Sequence, residues 1–358
     1  MKPCSNRIAA ALTMVCVVAA PAISAELSTG MQEIVAAAKK EGKLNLLWGQ
    51  GSLGGSEGAK RLAAGLNKMF GTNIDVRYTP GPPVTRVANQ IITDFKAGRS
   101  ARTDVFQGAN AFASRLEEEG VSEKIAWPKL LPGRVTDAFM EAGGTAVRIH
   151  TSLPGGIVYN TNLAPYKPTK LADLLKPEWK GKIASTPYAS GFDVMAFSDF
   201  WGGKSTIDFA RKFSKQITGL IRCSELERIA SGEFIAYAMD CTGRSWVELA
   251  KKGAPIAFVV PEDFSIQRFY YLTVPKNAVN PAAAKLLIAY LLSQEGQKIL
   301  WETDNVDLHM FPNSGMAKVV ADYEKQGVKF SEVTVARYRS NKGASKVQRE
   351  VKKILAKR

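Results

Sequence analysis

Strand-like and helix-like segments alternate through the first 120 residues, and this alternation limits the fold more than any other feature. Residues 44–48 read as a strand and 57–70 as a helix, with Leu62, Leu66 and Met69 near helical spacing and Gly71 as its stop. A second strand at 74–78, a helix at 84–97, a third strand at 104–106 and a helix at 111–119 follow. This βαβαβ order demands a parallel sheet with helices on its faces. A helix over 32–40, ended by Gly42, precedes it. The pattern changes near residue 150 and then resumes. Strands are expected at 157–160, 183–184, 234–239, 256–260 and 270–274, and helices at 171–175, 206–216, 224–231, 246–252, 282–292 and 294–301. With 358 residues the chain has room for two such α/β units.

The N-terminus is read apart from the fold. Lys2 and Arg7 precede an apolar run over 8–20, and a small-residue stretch ends at Ala25. That is the layout of a secretory signal peptide spanning 1–25, leaving a soluble mature protein. Removing it takes the formal charge from +15 to +13, because it carries two basic residues and no acid. It also removes Cys4 and Cys16, so Cys223 and Cys241 remain as a disulfide candidate in an oxidising compartment. Closing a loop of under 20 residues would contribute about 3 kcal/mol. The tail, 340–358, is basic apart from Glu350, with Val347, Val351, Ile354 and Leu355 at helical spacing. It reads as a docked helix with a solvated basic face, the alternative being a helix that docks on a membrane surface or a partner. No nucleic-acid partner is expected of an exported chain.

Enzyme signatures are weak. Gly49-Gln50-Gly51-Ser52-Leu53-Gly54 matches the dinucleotide-binding pattern, follows a strand and opens a helix, with Asp75 about 20 residues on. Asp75, however, falls inside the second strand rather than at its end. The alternative is a loop whose amides hold an anionic group of a ligand. Gly202-Gly203-Lys204-Ser205 resembles a P-loop ending but has Ser198 in place of the leading glycine. Two histidines, His150 and His309, cannot build a His-rich metal site. No catalytic constellation, cofactor site or metal site is expected.

Several phrases, in their order, resemble the periplasmic solute-binding proteins of ABC importers, in the extracellular family that includes ferric-ion binders. They are Ala37-Ala38-Lys39-Lys40-Glu41-Gly42-Lys43-Leu44, Thr103-Asp104-Val105-Phe106 with Asn110, and Gly156-Ile157-Val158-Tyr159-Asn160-Thr161-Asn162. The longest runs from Leu171-Ala172-Asp173-Leu174-Leu175 through Lys176-Pro177-Glu178-Trp179 to Lys180-Gly181-Lys182-Ile183, and Asn280-Pro281 with Gln294-Glu295-Gly296-Gln297 closes the series. The resemblance covers roughly 30–305. It implies a type 2 periplasmic-binding fold: two α/β lobes, each a sheet flanked by helices, joined by two crossing strands. Residues 26–152 and 269–358 would form lobe 1 and 153–268 lobe 2. It also implies a monomer in the periplasm, without enzymatic activity, that closes on a small solute and hands it to an inner-membrane permease.

Aligning the family's metal-binding tyrosine pair, just before Trp246, puts Arg244 and Ser245 at those positions. Arg244 would offer a planar fork to a carboxylate or phosphonate, so an anionic solute is expected. The remaining candidates are loops following strands: Gln50, Gly51 and Ser52; Gly108 and Asn110; and, in lobe 2, Ser185, Thr186, Ser190 and Gly191. Tyr270-Tyr271 is read as packing at the hinge, since alternation sends the two rings to opposite faces. The competing readings are a ferric-ion or polyamine binder of the same fold, or an exported NAD(P)-dependent oxidoreductase.

Overall fold

The computed structural model describes residues 27–49 and 51–357. The signal-peptide reading, with Cys4 and Cys16, and the site candidate Gln50 lie outside the described residues.

The first lobe is built on strands β1 (Lys43–Gly49), β2 (Asp75–Gly81), β3 (Phe106–Ala109), β4 (Met140–Glu141) and β5 (Ala146–Ser152). The second holds β6 (Ile157–Asn160), β7 (Ile183–Ser185), β8 (Ile217–Leu220), β9 (Ala236–Ala238) and β10 (Ile256–Val259). The chain then returns through β11 (Ile266–Thr273) and ends its strands at β12 (Ser331–Val333). In lobe 1, β2 pairs parallel with β1, and β11 is flanked by β3 and β5, both antiparallel to it. In lobe 2 the order is β8-β7-β9-β6-β10, with β6 antiparallel to both neighbours. Each lobe therefore mixes parallel and antiparallel pairs: in lobe 1, β11 and its parallel neighbour β12 run opposite to β3 and β5, and in lobe 2, β6 runs opposite to β9 and β10.

The β1 strand alternates as expected, with Leu44, Leu46 and Trp48 buried and the residues between them partly exposed. Its other edge is joined to the next segment by side chains. The Asp104 carboxylate accepts from Asn45 N (2.7 Å), Val279 N (2.9 Å) and Asn280 N (2.9 Å), and Thr103 Oγ1 accepts from Leu47 N (3.1 Å). These bonds tie β1 to the start of the buried helix Pro281–Leu291. The Thr103-Asp104 and Asn280-Pro281 phrases thus act as staples of lobe 1. In lobe 2 the Leu171–Leu175 turn is capped by Asp173, and Leu171, Leu174 and Trp179 are fully buried.

Residues 146–152, predicted only as a change of pattern, form the first crossing strand, paired with β11 from Arg268↔Ser152 to Leu272↔Val147. The third strand begins two residues later than predicted. The tail departs from its expected place in lobe 1. Helix Val335–Ser340 packs on the lobe 1 helix Asn110–Glu118, where Arg339 meets Ser114 and Glu117. The chain then crosses: Asn341 Oδ1 accepts from Ser198 N (2.8 Å), and helix Ala344–Ala356 buries Val351 and Leu355 against the lobe 2 helix Gly203–Ser214. Burial of that apolar stripe is the physical reason, since the complementary surface lies on lobe 2. Cys223 and Cys241 are joined, with Cα atoms 5.9 Å apart, tying the segments that leave β8 and β9.

Candidate functional site

Open α/β sheets present ligand sites where their parallel strands end. Here the ends of β1 and β9 face each other beside the two crossing strands. They enclose a cavity of about 280 Å³ lined by Gly51, Ser52, Gln107, His150, Thr242, Ser245, Tyr270, Asp304 and Val306. A second cavity of about 250 Å³ adjoins it on the lobe 1 side, sharing Ser52, Gln107 and Tyr270 and adding Trp48 and Phe106.

The glycine-rich loop already has its anion, supplied by the chain itself. Asp304, at the end of helix Gln294–Asp304, accepts from Leu53 N at 2.7 Å and Gly54 N at 3.0 Å. Burial raises its carboxyl pKa, and the two amide bonds only partly oppose this. The dinucleotide reading loses its phosphate slot for that reason. Asp75 opens β2 opposite Lys43, six residues along the strand from Gly81, roughly 20 Å from the loop end at 3.3 Å per residue.

The opposite wall comes from a turn after β9. Buried Asp240 accepts from Thr242 N (3.1 Å) and Gly243 N (2.5 Å), which curls 240–243 back on itself. Gly243 has φ +79°, and a Cβ there would lie 2.6 Å from Leu153 O, so glycine is required. The turn points Ser245 into the cleft and its hydroxyl lies 3.1 Å from Thr242 Oγ1.

The floor comes from the crossing strands. The His150 and Tyr270 rings stack with centroids 4.5 Å apart. His150 is buried, its Nδ1 has no partner, and desolvation lowers its pKa to about 4, so the imidazole is neutral at pH 7. Tyr271 points the other way into the core and donates to Glu141 at 3.1 Å. The two rings do part to opposite faces, but Tyr270 is a cleft residue as well as packing.

Of the residues singled out from sequence, Gly51, Ser52 and Ser245 meet in this cleft. Gly108 lies inside β3 opposite Tyr271, where a Cβ would fall 2.7 Å from the Phe106 ring, so it serves packing. Asn110 opens a helix and is buried with both amide atoms unpartnered. Ser185 donates to Ala238 O (3.0 Å) and Thr186 accepts from Tyr188 N (3.2 Å), both fully buried within lobe 2. Ser190 Oγ lies 3.8 Å from Cys241 Sγ, and Gly191, at φ +84°, precedes the short helix Phe192–Met195.

Arg244 turns away from the cleft. Its Nε donates to Asn305 O at 3.1 Å, and its guanidinium sits 5.0 Å over the Trp301 ring. There it borders two open grooves, about 790 and 660 Å³, beside helix Gly315–Lys325. These are larger than the cleft, but neither is lined by the crossing strands' rings. Asn305 also bonds Lys251 Nζ (2.9 Å) and Glu248 Oε1 (2.9 Å), so it links the lobes. Among the described residues the cleft therefore carries no cationic side chain, and no cluster of three His, Cys, Asp or Glu could hold a metal ion. Sequence reasoning missed Gln107, His150, Thr242, Tyr270 and Asp304. Their adjacency exists only after folding.

Solved structures with this architecture include solute-binding proteins. A substrate-binding protein of an ABC transporter from Agrobacterium tumefaciens superposes with a TM-score of 0.67 at 18% identity, covering 83% of this chain and 90% of that one. AgtB of A. tumefaciens, in complex with agropinic acid, gives 0.67 at 16%, covering 88% and 98%. Iron-bound HitA from Pseudomonas aeruginosa gives 0.65 at 17%, covering 86% and 99%. An uncharacterized protein of Haemophilus influenzae is 27% identical over 143 residues, 36% of this chain; the chain thus spans 39% of the length of the curated relative it matches. The model of the bacterial extracellular solute-binding proteins matches residues 61–314. With that match over most of its length and the type 2 periplasmic-binding architecture, the chain belongs to the bacterial extracellular solute-binding protein family.

Proposed function

We propose that this protein captures a small polar solute in the periplasm and delivers it, as a monomer, to the inner-membrane permease of an ABC importer. The observation that carries the reading is the cleft, whose lining comes from both lobes and both crossing strands. A solute touching Ser52 and Gln107 on one side and Thr242 and Ser245 on the other gains its full contacts only when the lobes approach. Binding then shifts the population toward the closed form, by as much as the solute prefers that form. The permease would read the closed shape, and no bond in the solute is broken. Lobe 1 is proposed to comprise 26–152 and 269–340, lobe 2 to comprise 153–268, and the tail helix Ala344–Ala356 to belong with lobe 2.

The cleft chemistry shapes the solute. Its donors are hydroxyls, the Gln107 amide and a neutral His150, and its one acid, Asp304, is engaged by Leu53 and Gly54. A carboxylate-bearing solute would be met by these dipoles and by ring contact with Tyr270, without Arg244. Among the described residues, ferric-ion binding has less support, since Tyr270 is the single phenol lining the cleft, and polyamine binding has less, since no free carboxylate lines it. A thermal-shift screen of the mature protein against carboxylates, polyols, polyamines and ferric ion tests the reading. Solute at about 100 times its Kd should add about 2.7 kcal/mol, and Tyr270→Ala should cut this to about 1.4 kcal/mol or less. Stabilisation by ferric ion or a polyamine alone, retained in Tyr270→Ala, would refute it.

A further inference from the structure

A marked charge asymmetry lies outside the cleft lining. Helices Gly203–Ser214 and Ala344–Ala356 pack side by side on lobe 2. The first, with the residue after it, exposes Lys204, Arg211, Lys212 and Lys215. The second exposes Lys346, Arg349, Lys352, Lys353 and Lys357. Asp208 and Glu350 are the only acids in these two segments, so nine basic and two acidic residues give a net +7, against +15 for the whole chain. Arg211 approaches both Asp208 (3.5 Å) and Glu350 (3.9 Å), which places the two basic stripes on one continuous surface. Among the described residues, none of the other eight cations is within ion-pair distance of a carboxylate.

We infer that this two-helix face docks on an anionic lipid surface. Seven of its nine cations are lysines, and its outward residues include no aromatic or large aliphatic side chain. A buried protein interface concentrates aromatic residues and arginine at its centre and is depleted in lysine. A lysine-rich face without an apolar anchor suits loose, salt-sensitive adsorption to charged headgroups, at about 1 kcal/mol of attraction for each lysine or arginine near the surface. The location fits a family described as extracellular, outside the cytosol. Adsorption would hold lobe 2 down and confine the protein's search for its permease to two dimensions. The inference does not depend on which solute fills the cleft.

Vesicle co-sedimentation of the mature protein tests it. The protein should pellet with vesicles containing phosphatidylglycerol at low ionic strength, should stay in solution with pure phosphatidylcholine, and should be released as salt shortens the Debye length to about 8 Å at 0.15 M. The quadruple variant Lys212→Glu, Lys215→Glu, Lys346→Glu, Lys353→Glu should lose pelleting by about tenfold or more. Because all four side chains are exposed, it should keep the wild-type Tm and solute affinity. Equal pelleting with both lipids, undiminished pelleting of the variant, or no pelleting with anionic vesicles at low ionic strength would each overturn the inference.

Discussion

Replacing Asp304 with alanine probes how the cleft wall is held. The carboxylate accepts from Leu53 N, partly buried, and from Gly54 N, nearer to solvent. A bond to a buried charged acceptor contributes about 1.5–3 kcal/mol and an exposed one about 1 kcal/mol. The loss is offset in part, because burying the carboxylate carries its own cost, as its raised pKa records. A net destabilisation of about 2–3 kcal/mol follows, or roughly 3–4 °C in Tm for a chain of this size. Ser52, one residue from the freed amide of Leu53, should lose its fixed position, and solute affinity should fall with it. The vacated position is a pair of amides at the mouth of helix Ser56–Phe70, so formate or acetate at high concentration should restore part of the lost Tm in the variant and none in the wild type. Differential scanning fluorimetry with a formate titration, and calorimetric titration of solute, read both effects. An unchanged Tm and affinity, or equal formate effects on both proteins, would refute the assignment of Asp304 as the loop's internal anion.

Tyr270→Ala should weaken solute binding by tenfold or more in calorimetry, whereas Tyr271→Phe should leave affinity unchanged and lower stability by about 1 kcal/mol through loss of its bond to Glu141. Reducing Cys223–Cys241, or Cys241→Ser, should lower the unfolding free energy by about 3 kcal/mol for an 18-residue separation, measured by denaturant titration with and without reductant. His150 titrates at about 4 folded, below its ordinary 6.5, so the unfolded chain binds the extra proton first and stability should fall as pH drops from about 6.5 to 4. The full contribution is about 3 kcal/mol, and His150→Gln should flatten that limb of the Tm–pH curve.

The alternation of strands and helices was legible in the sequence because β1 and the helices beside it each bury one face, leaving a clean period. The crossing strand 146–152 was not, since it is buried on both faces yet carries Arg148, His150, Thr151 and Ser152, which blurs any alternation. The tail's helix was readable from Val347, Val351 and Leu355, but not its partner, because a stripe states that it must be covered and not by what. At the site, Gly51 and Ser52 followed from their place after a strand. Arg244 and Ser245 could not be told apart, since the turn set by Asp240 decides which enters the cleft. Asp304 lies 250 residues from Gly54 and had no local signature.

The central claim is that solute sits between the lobes against the His150–Tyr270 stack. A crystal structure of the mature protein with the solute found by thermal shift tests it most directly. The account predicts solute within hydrogen-bond distance of Ser52 and Ser245 together, with Tyr270 against its surface. Solute bound to one lobe alone, or seated in the grooves beside Arg244, would contradict it.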